Sequence, residues 1–187
     1  MPNWCFSKYY IRSCDDSAEQ LYNRMKRLQE MKEPLKPNGF GTTWLGNLVE
    51  DLGVDFNKVQ CRGSWDELTF DNGILGFTTE TAWYRCTEVE DLISERYPNI
   101  EIAFLCEEPG MCIYEKNSNE FFPEDYLIET DDGDSEYCSE EEALEFISDH
   151  FGVDFKTIND GLQAVGEYNG DSDIPEIRVC CFELISK

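Results

Sequence analysis

The chain has 187 residues, of which 41% are hydrophobic and 13% aromatic, and its formal net charge is −25. This composition excludes an intrinsically disordered chain and is sufficient for the core of one domain of ordinary size. No stretch approaches the roughly 18 consecutive apolar residues of a membrane helix, and the first residues, MPNWCFSKYY, lack the apolar segment of a signal peptide. The sequence therefore predicts a cytoplasmic protein that does not bind membranes.

The N-terminal part of the chain predicts a strand followed by two helices. Trp4–Ser13 is rich in aromatic and β-branched residues, which is typical of a strand. Asp15-Asp16-Ser17 can cap a helix that continues to about Lys32. Its apolar face is spaced as in a helix and consists of Ala18, Leu21, Met25 and Leu28. A second helix, Trp44–Leu52, is predicted to begin at a cap formed by Thr42 or Thr43 and to stop at Gly53.

The pattern then changes to the alternation of strands. The runs Val59–Phe70 and Ile74–Trp83 flank Asp71-Asn72-Gly73, and Asn-Gly between alternating runs indicates a hairpin. A helix, Glu88–Tyr97, is followed by a second predicted hairpin from strands Glu101–Glu107 and Met111–Lys116. This order predicts an α+β fold of the ferredoxin-like, split βαβ type for residues 1–117: an antiparallel sheet with helices on one face.

Residues 118–187 predict an acidic α/β extension, a strand-helix-helix-strand segment that packs on the same core or completes a single domain 1–187. The predicted elements are the strand Tyr126–Thr130, a turn at Asp131–Asp134, a helix to His150, a helix Phe155–Glu167, an acidic loop Asn169–Asp173 and a strand Glu176–Ile185. Ser139 with Glu142 three residues later indicates a capping box at the start of the first of these helices.

One short sequence occurs twice. Gly53-Val54-Asp55-Phe56 and Gly152-Val153-Asp154-Phe155 each follow a predicted helix, at a constant offset of 99 residues. Two explanations remain open: a duplicated helix–turn unit, or the same helix-stop chemistry reached twice.

Several short motifs resemble those of the YubB-type ferredoxin-like proteins. They are Met1-Pro2-Asn3-Trp4-Cys5, Gly63-Ser64-Trp65-Asp66, Phe77 with Thr81-Ala82-Trp83, and Tyr97-Pro98. The resemblance implies the ferredoxin-like topology and an origin on plasmids, phages or other mobile elements, and it implies no activity. The family commonly continues Thr-Ala-Trp with a Ser-Pro-Pro-like helix start, whereas this chain has Tyr84-Arg85-Cys86, so no role of that loop is carried over.

The residues that would support catalysis or metal binding are sparse. Nine cysteines without a regular framework, in a chain without a signal peptide, favour reduced core thiols over a disulfide scaffold. The single histidine, His150, is predicted at a helix end, where the helix dipole favours its charged form. Neither the zinc spacing of paired Cys and His nor an EF-hand loop is present, although Asp131–Glu136 and Asn169–Asp173 carry oxygen ligands in turns. We therefore predict no catalytic residues, no metal site and no cofactor.

The charge is the one extreme feature, and it is unevenly distributed. Residues 1–62 hold 9 Lys and Arg against 8 Asp and Glu, whereas residues 63–187 hold 6 against 32. Such a field repels nucleic acid and attracts basic partners, so the chain is predicted to bind a basic protein, for example a nucleic-acid-binding one, and no nucleic acid directly. The predicted contact residues are the acidic run Asp131, Asp132, Asp134, Glu136, Glu140, Glu141 and Glu142.

Three functional readings are compatible with this charge. In the first, the chain is a non-catalytic binding protein whose acidic face engages a basic protein surface, and in the sharper form of this reading it mimics DNA and inhibits a nuclease or another DNA-binding protein. In the second, the chain is an enzyme or small-molecule binder with a pocket between sheet and helices. In the third, it is an accessory protein whose acidity serves only solubility. The four tryptophans, residues 4, 44, 65 and 83, are predicted to be core residues.

Overall fold

The computed structural model describes residues 3–170 and 176–186, which form an α+β protein. The chain divides into two compact units, Met1–Ile113 and Tyr114–Lys187, whereas the sequence predicts a boundary after residue 117. The charge is divided unequally between them. The first unit holds 11 Lys and Arg against 19 Asp and Glu, and the second holds 4 against 21.

The first unit is built on four long strands. They are β1 (Trp4–Ser13), β2 (Gly63–Asp71), β3 (Ile74–Ala82) and β4 (Ile100–Glu108). They lie in the order β2-β3-β1-β4, and each neighbouring pair is antiparallel. The predicted hairpin between β2 and β3 is confirmed: Asn72 and Gly73 close it with φ of 50° and 81°. Positive φ at both central residues is what a two-residue hairpin turn requires, and Asn and Gly tolerate it.

Three helices accompany these strands, namely α1 (Ser17–Gln29), α2 (Leu45–Asp51) and α3 (Thr87–Arg96). Helix α1 buries the apolar residues that its spacing predicts. Helix α2 has no side-chain cap, so the predicted cap at Thr42 or Thr43 is wrong. Both threonines lie in a 3-10 turn, Gly41–Thr43, which leaves Trp44 at the N-cap position.

The two faces of this sheet differ in exposure. Cys5, Ser7, Tyr9 and Ile11 of β1 are buried on the face that contacts the helices, which we call the covered face. The alternate residues of β1 lie on the opposite, open face, because successive side chains of a strand point to opposite sides. Phe6 on that face is 37% exposed.

The prediction of four core tryptophans is wrong for two of them. Trp44 and Trp65 are 7% and 1% exposed, but Trp4 and Trp83 are 45% and 46% exposed. Trp4 occupies an outward position of β1. Trp83 follows the end of β3 with φ of 73°, outside the regular strand.

The described residues of the second unit form five short strands and two helices. They are β5 (Ile113–Lys116), which begins at the boundary, β6 (Tyr126–Thr130), β7 (Ser135–Cys138), α4 (Glu140–Phe151), α5 (Ile158–Asn169), β8 (Ile177–Cys181) and β9 (Glu183–Leu184). β6 lies between β7 and β8 and is antiparallel to both, while β5 pairs in parallel with β9. Ile128, Ala143, Ile147, Val165 and Ile177 form the centre of its core.

Two predicted elements in this unit are corrected, and a third lies largely outside the described residues. Helix α5 begins at Ile158 rather than Phe155, because the Thr157 side chain accepts a hydrogen bond from the Asp160 amide and caps the helix. The predicted strand Glu176–Ile185 is divided into β8 and β9. The acidic loop Asn169–Asp173 falls for the most part outside the described residues.

The repeated Gly-Val-Asp-Phe sequence ends two helices in the same way. Gly53 and Gly152 have φ of 89° and 65°. The next amide donates to the carbonyl five residues earlier, from Val54 to Val49 over 3.1 Å and from Val153 to Ser148 over 3.0 Å. This closure satisfies carbonyl groups at a helix end, and glycine adopts the required left-handed conformation at no steric cost.

Candidate functional site

The β6–β7 hairpin carries the first part of the predicted acidic site. Its turn at Asp131–Asp134 is confirmed: the Thr130 amide donates to the Asp134 carbonyl over 3.0 Å, and Gly133 has φ of 85°. The strand that follows, β7, was missed by sequence reasoning because the segment Ser135–Cys138 is short and half polar. Ile128 pairs with Glu136 across the hairpin.

Four of the predicted site residues line one open cleft of about 640 Å³. They are Asp131, Asp132, Asp134 and Glu136, and a fifth carboxylate, Glu176, lies at the same cleft. We call these five residues and their surroundings the acidic cleft. All five side chains are exposed. In the part of the chain that the structure describes, none of them forms an ion pair with lysine or arginine.

Sheet pairing explains why Glu176 joins this group. Thr130 at the end of β6 is the register partner of Ile177 at the start of β8. The Asp131 amide donates to the Glu176 carbonyl over 3.0 Å, so the two acidic residues lie side by side although 45 positions separate them. The proximity of Glu176 to Asp131 depends on the pairing of β6 with β8, so the local sequence does not predict it.

The other wall of the acidic cleft is aromatic. Phe146 and His150 line it from helix α4, where a spacing of four residues places both on one face. The His150 ring lies 6.3 Å from the Phe146 ring, 4.9 Å from Phe151 and 5.9 Å from Tyr168. The Tyr168 hydroxyl donates to the Glu176 carboxylate. The cleft therefore offers carboxylates beside ring faces, a combination that suits Lys and Arg side chains.

The remaining three predicted residues, Glu140, Glu141 and Glu142, do not line the cleft. They form the first turn of α4, where negative charge stabilises the helix dipole. The predicted capping box is confirmed. The Ser139 amide donates to Glu142 Oε2 over 2.8 Å, and the Glu142 amide donates to Ser139 Oγ over 3.3 Å. These hydrogen bonds lower the pKa of Glu142, so the carboxylate of Glu142 has a structural role.

Replacing Ser139 with alanine is expected to lower the free energy of unfolding of the second unit by about 1 kcal/mol, because the cap hydrogen bonds are lost. Hydrogen exchange at the amides of α4 measures the effect. Ser135→Ala, at an exposed position of β7, is the matched control and should leave that exchange unchanged. Equal protection of α4 in both variants would contradict the capping role.

The space between the sheet and the helices of the first unit is too small for a substrate. Tyr9, Phe77, Thr79 and Glu90 are among the residues around it, and its volume is about 20 Å³. This volume is enough for one water molecule. Thr79 Oγ1 is buried there without a hydrogen-bond partner among the described atoms, which is consistent with a bound water. The cavity gives no support to a small-molecule pocket at this position.

Among the described residues, the cysteines and the acidic turns show no metal-binding geometry. Six of the nine cysteines are buried. Within residues 3–170 and 176–186, no group of three or more His, Cys, Asp or Glu side chains is arranged to hold a metal ion. The turn at Asn169–Asp173 is only partly included in this statement, since its last three residues lie outside the described part.

Comparisons with known proteins add no further constraint. No protein-family model, curated protein or solved structure matches the chain. In the described part of the chain, no helix combines the length and the apolar composition needed to cross a membrane.

Proposed function

We propose that this chain is a non-catalytic acidic binding protein that engages a basic protein surface through the acidic cleft. One observation supports the proposal: five carboxylates converge on one cleft, and none of them is neutralised by lysine or arginine in the described residues. Among the described residues of β6 and β8, Arg178 and Glu129 form an ion pair over 3.2 Å, and neither of them lines the cleft. Converging like charges repel one another, and a cationic partner would relieve that repulsion and be steered to the cleft.

A sharper form of the proposal is mimicry of DNA. Asp134 and Glu136 alternate along the hairpin, and residues two positions apart in a strand are about 6.6 Å apart. Asp131 and Asp132 extend the row into the turn. A duplex carries one negative charge per about 1.7 Å of its axis, so this row alone is sparser than DNA, and Glu176 beside it adds to the charge that a basic groove would meet. The partner would then be a nuclease or another DNA-binding protein.

We propose that the first unit has the ferredoxin-like topology. Its support is the strand order β2-β3-β1-β4 with antiparallel neighbours, together with helices between β1 and β2 and between β3 and β4. We further propose that the chain is related to the YubB-type proteins of mobile elements, whose sequence motifs it resembles. An inhibitor of a DNA-binding protein would benefit a mobile element, because such an element is exposed to host nucleases.

Neutralising the acidic cleft is expected to abolish salt-sensitive partner binding. The variant carries Asp131→Asn, Asp132→Asn, Asp134→Asn and Glu136→Gln, which keep the shape of each side chain and remove its charge. Immobilised full-length chain is exposed to cell lysate in low salt, and retained basic proteins are eluted with rising salt and identified by mass spectrometry. Screening weakens contacts between exposed charges, so elution near ~0.5 M salt is expected for the unmodified chain.

The control removes the same number of charges from the first unit, at Glu19, Glu30, Asp91 and Glu95, which are all exposed. This control should retain the same proteins as the unmodified chain. Duplex DNA added in excess should release the partner if the cleft imitates DNA. Equal retention by the cleft variant and the unmodified chain would refute the proposal, and retention that DNA does not compete would refute mimicry alone.

A further inference from the structure

Phe6 on the open face of the first unit is flanked by carboxylates on both sides. It is the register partner of Glu80 on β3 and of Glu107 on β4. Directly opposed residues of antiparallel strands have Cβ atoms about 4.5–5.5 Å apart. Ser64 on β2 is the partner of Glu80 and continues the same row. One exposed ring therefore lies between two acidic side chains in a single line across the sheet.

A β-bulge forms a cleft beside this row. The register of β2 shifts between Asp66 and Thr69, and Glu67 in the bulge has φ of 51°, the left-handed region that non-glycine residues rarely adopt. A cleft of about 400 Å³ lies here, lined by residues that include Phe6, Glu80, Asp66 and Glu67. Two further carboxylates therefore line the same cleft as the exposed ring.

Three of these carboxylates form no ion pair within the described residues, although Lys8 lies on the same face and lines a second cleft with Asp66 and Glu67. In the part of the chain that the structure describes, Asp66, Glu67 and Glu80 form no ion pair. The nearest outward cation of β1, Lys8, lies over the ring of Tyr10 at 5.5 Å. Trp4, the other exposed aromatic residue of β1, meets Phe40 edge-to-face with ring centroids 6.3 Å apart. The surface is apolar at its centre and negative at its margins.

The exposed ring and the surrounding carboxylates favour one kind of ligand, a guanidinium group. Nucleic acid and a second copy of this chain are both strongly negative and would be repelled. A guanidinium group is planar and weakly hydrated, so it can stack on an aromatic face while its N–H groups bind carboxylates at the ring edge. An ammonium group is compact and strongly hydrated, and it fits such a stacked site less well.

We propose that the open face of the first unit is a docking surface for an arginine side chain of a protein partner, with the guanidinium stacked on Phe6 and hydrogen-bonded to Glu80. The surface is independent of the acidic cleft, since all of its residues belong to the first unit and all of the cleft residues to the second.

The test uses the full-length, ¹⁵N-labelled chain and three peptides: acetyl-Gly-Arg-Gly-Arg-Gly-amide, its lysine twin and its citrulline twin. Titration followed by ¹⁵N–¹H NMR reads the two surfaces separately. We expect the arginine peptide to shift the amides of Phe6, Ser64 and Glu80. The lysine twin should bind this face about fivefold more weakly, and the uncharged citrulline twin should not bind it.

Two variants test whether Phe6 and Glu80 contact the arginine side chain. Phe6→Leu keeps an apolar side chain without a π-face, and Glu80→Gln removes one charge at constant shape; each should raise the Kd at this face about fivefold. Glu95→Gln, at an exposed position of α3, should not change it. Shifts confined to the acidic cleft, equal affinity for the arginine and lysine peptides, or unchanged affinity in both Phe6→Leu and Glu80→Gln would overturn the proposal.

Discussion

Replacing Glu90 with glutamine is expected to lower the free energy of unfolding of the first unit by about 3–5 kcal/mol. Glu90 is 4% exposed, and its carboxylate accepts hydrogen bonds from the Tyr9 hydroxyl over 2.8 Å and from Arg85. The guanidinium carbon of Arg85 lies 3.7 Å from the centre of the Phe104 ring. The amide would leave this buried guanidinium without a counter-charge. Urea titration followed by tryptophan fluorescence measures the loss.

Two further variants separate charge from hydrogen bonding. Tyr9→Phe removes one hydrogen bond and no charge, and should cost about 1–2 kcal/mol. Burial and the Glu90 carboxylate raise the pKa of Tyr9, so its hydroxyl remains a donor at neutral pH. The double variant Arg85→Met, Glu90→Leu removes both charges and should be more stable than Glu90→Gln. A Glu90→Gln protein within 1 kcal/mol of the unmodified chain would contradict the role assigned to the pair.

Replacing Lys116 with methionine is expected to destabilise the second unit by about 3 kcal/mol. Lys116 is fully buried, and its Nζ donates to the carbonyls of Phe122 and Glu124, each over 2.9 Å, and to Asp125 Oδ1 over 2.6 Å. Methionine fills a similar volume but donates no hydrogen bond. Two main-chain carbonyls would lose their donor, and each unpaired buried carbonyl costs about 1–3 kcal/mol.

Lys156→Met is the matched control in the same unit. Its side chain is 76% exposed and pairs with the equally exposed Asp154. Such surface pairs contribute little to stability, so a change below about 0.5 kcal/mol is expected. Hydrogen exchange at β5 and β6 distinguishes the two variants. The assignment fails if Lys116→Met exchanges these amides no faster than Lys156→Met.

The burial of Lys116 could not be predicted from the local sequence. Lys116 is the single basic residue between Arg96 and Lys156, so a solvated position among acids is the natural expectation from composition. Its burial depends on the path of residues 117–125, which turns two carbonyls toward one ammonium group. Contacts of that kind have no periodic signature. In contrast, Asn72-Gly73 and Ser139 with Glu142 act within a few residues, and both predicted motifs are found in the structure.

The candidate site also combines features that the local sequence predicts with features that depend on tertiary structure. The turn at Asp131–Asp134 was predictable because its glycine and acidic residues act locally. The capping role of Glu142 was predicted from an equally local pattern, and this role is at odds with the prediction of Glu142 as a contact residue. Glu176 and the aromatic wall with His150 were not predictable, since both depend on pairing of β6 with β8 and on packing of α4.

The placement of the tryptophans has a practical consequence. All four, Trp4, Trp44, Trp65 and Trp83, belong to the first unit, and the second unit has none. Indole emission therefore reports unfolding of the first unit alone, whereas circular dichroism records the helices of both. The difference between the two denaturation curves isolates the second unit. A neutral quencher adds a further distinction, because it reaches the two exposed indoles and spares the two buried ones.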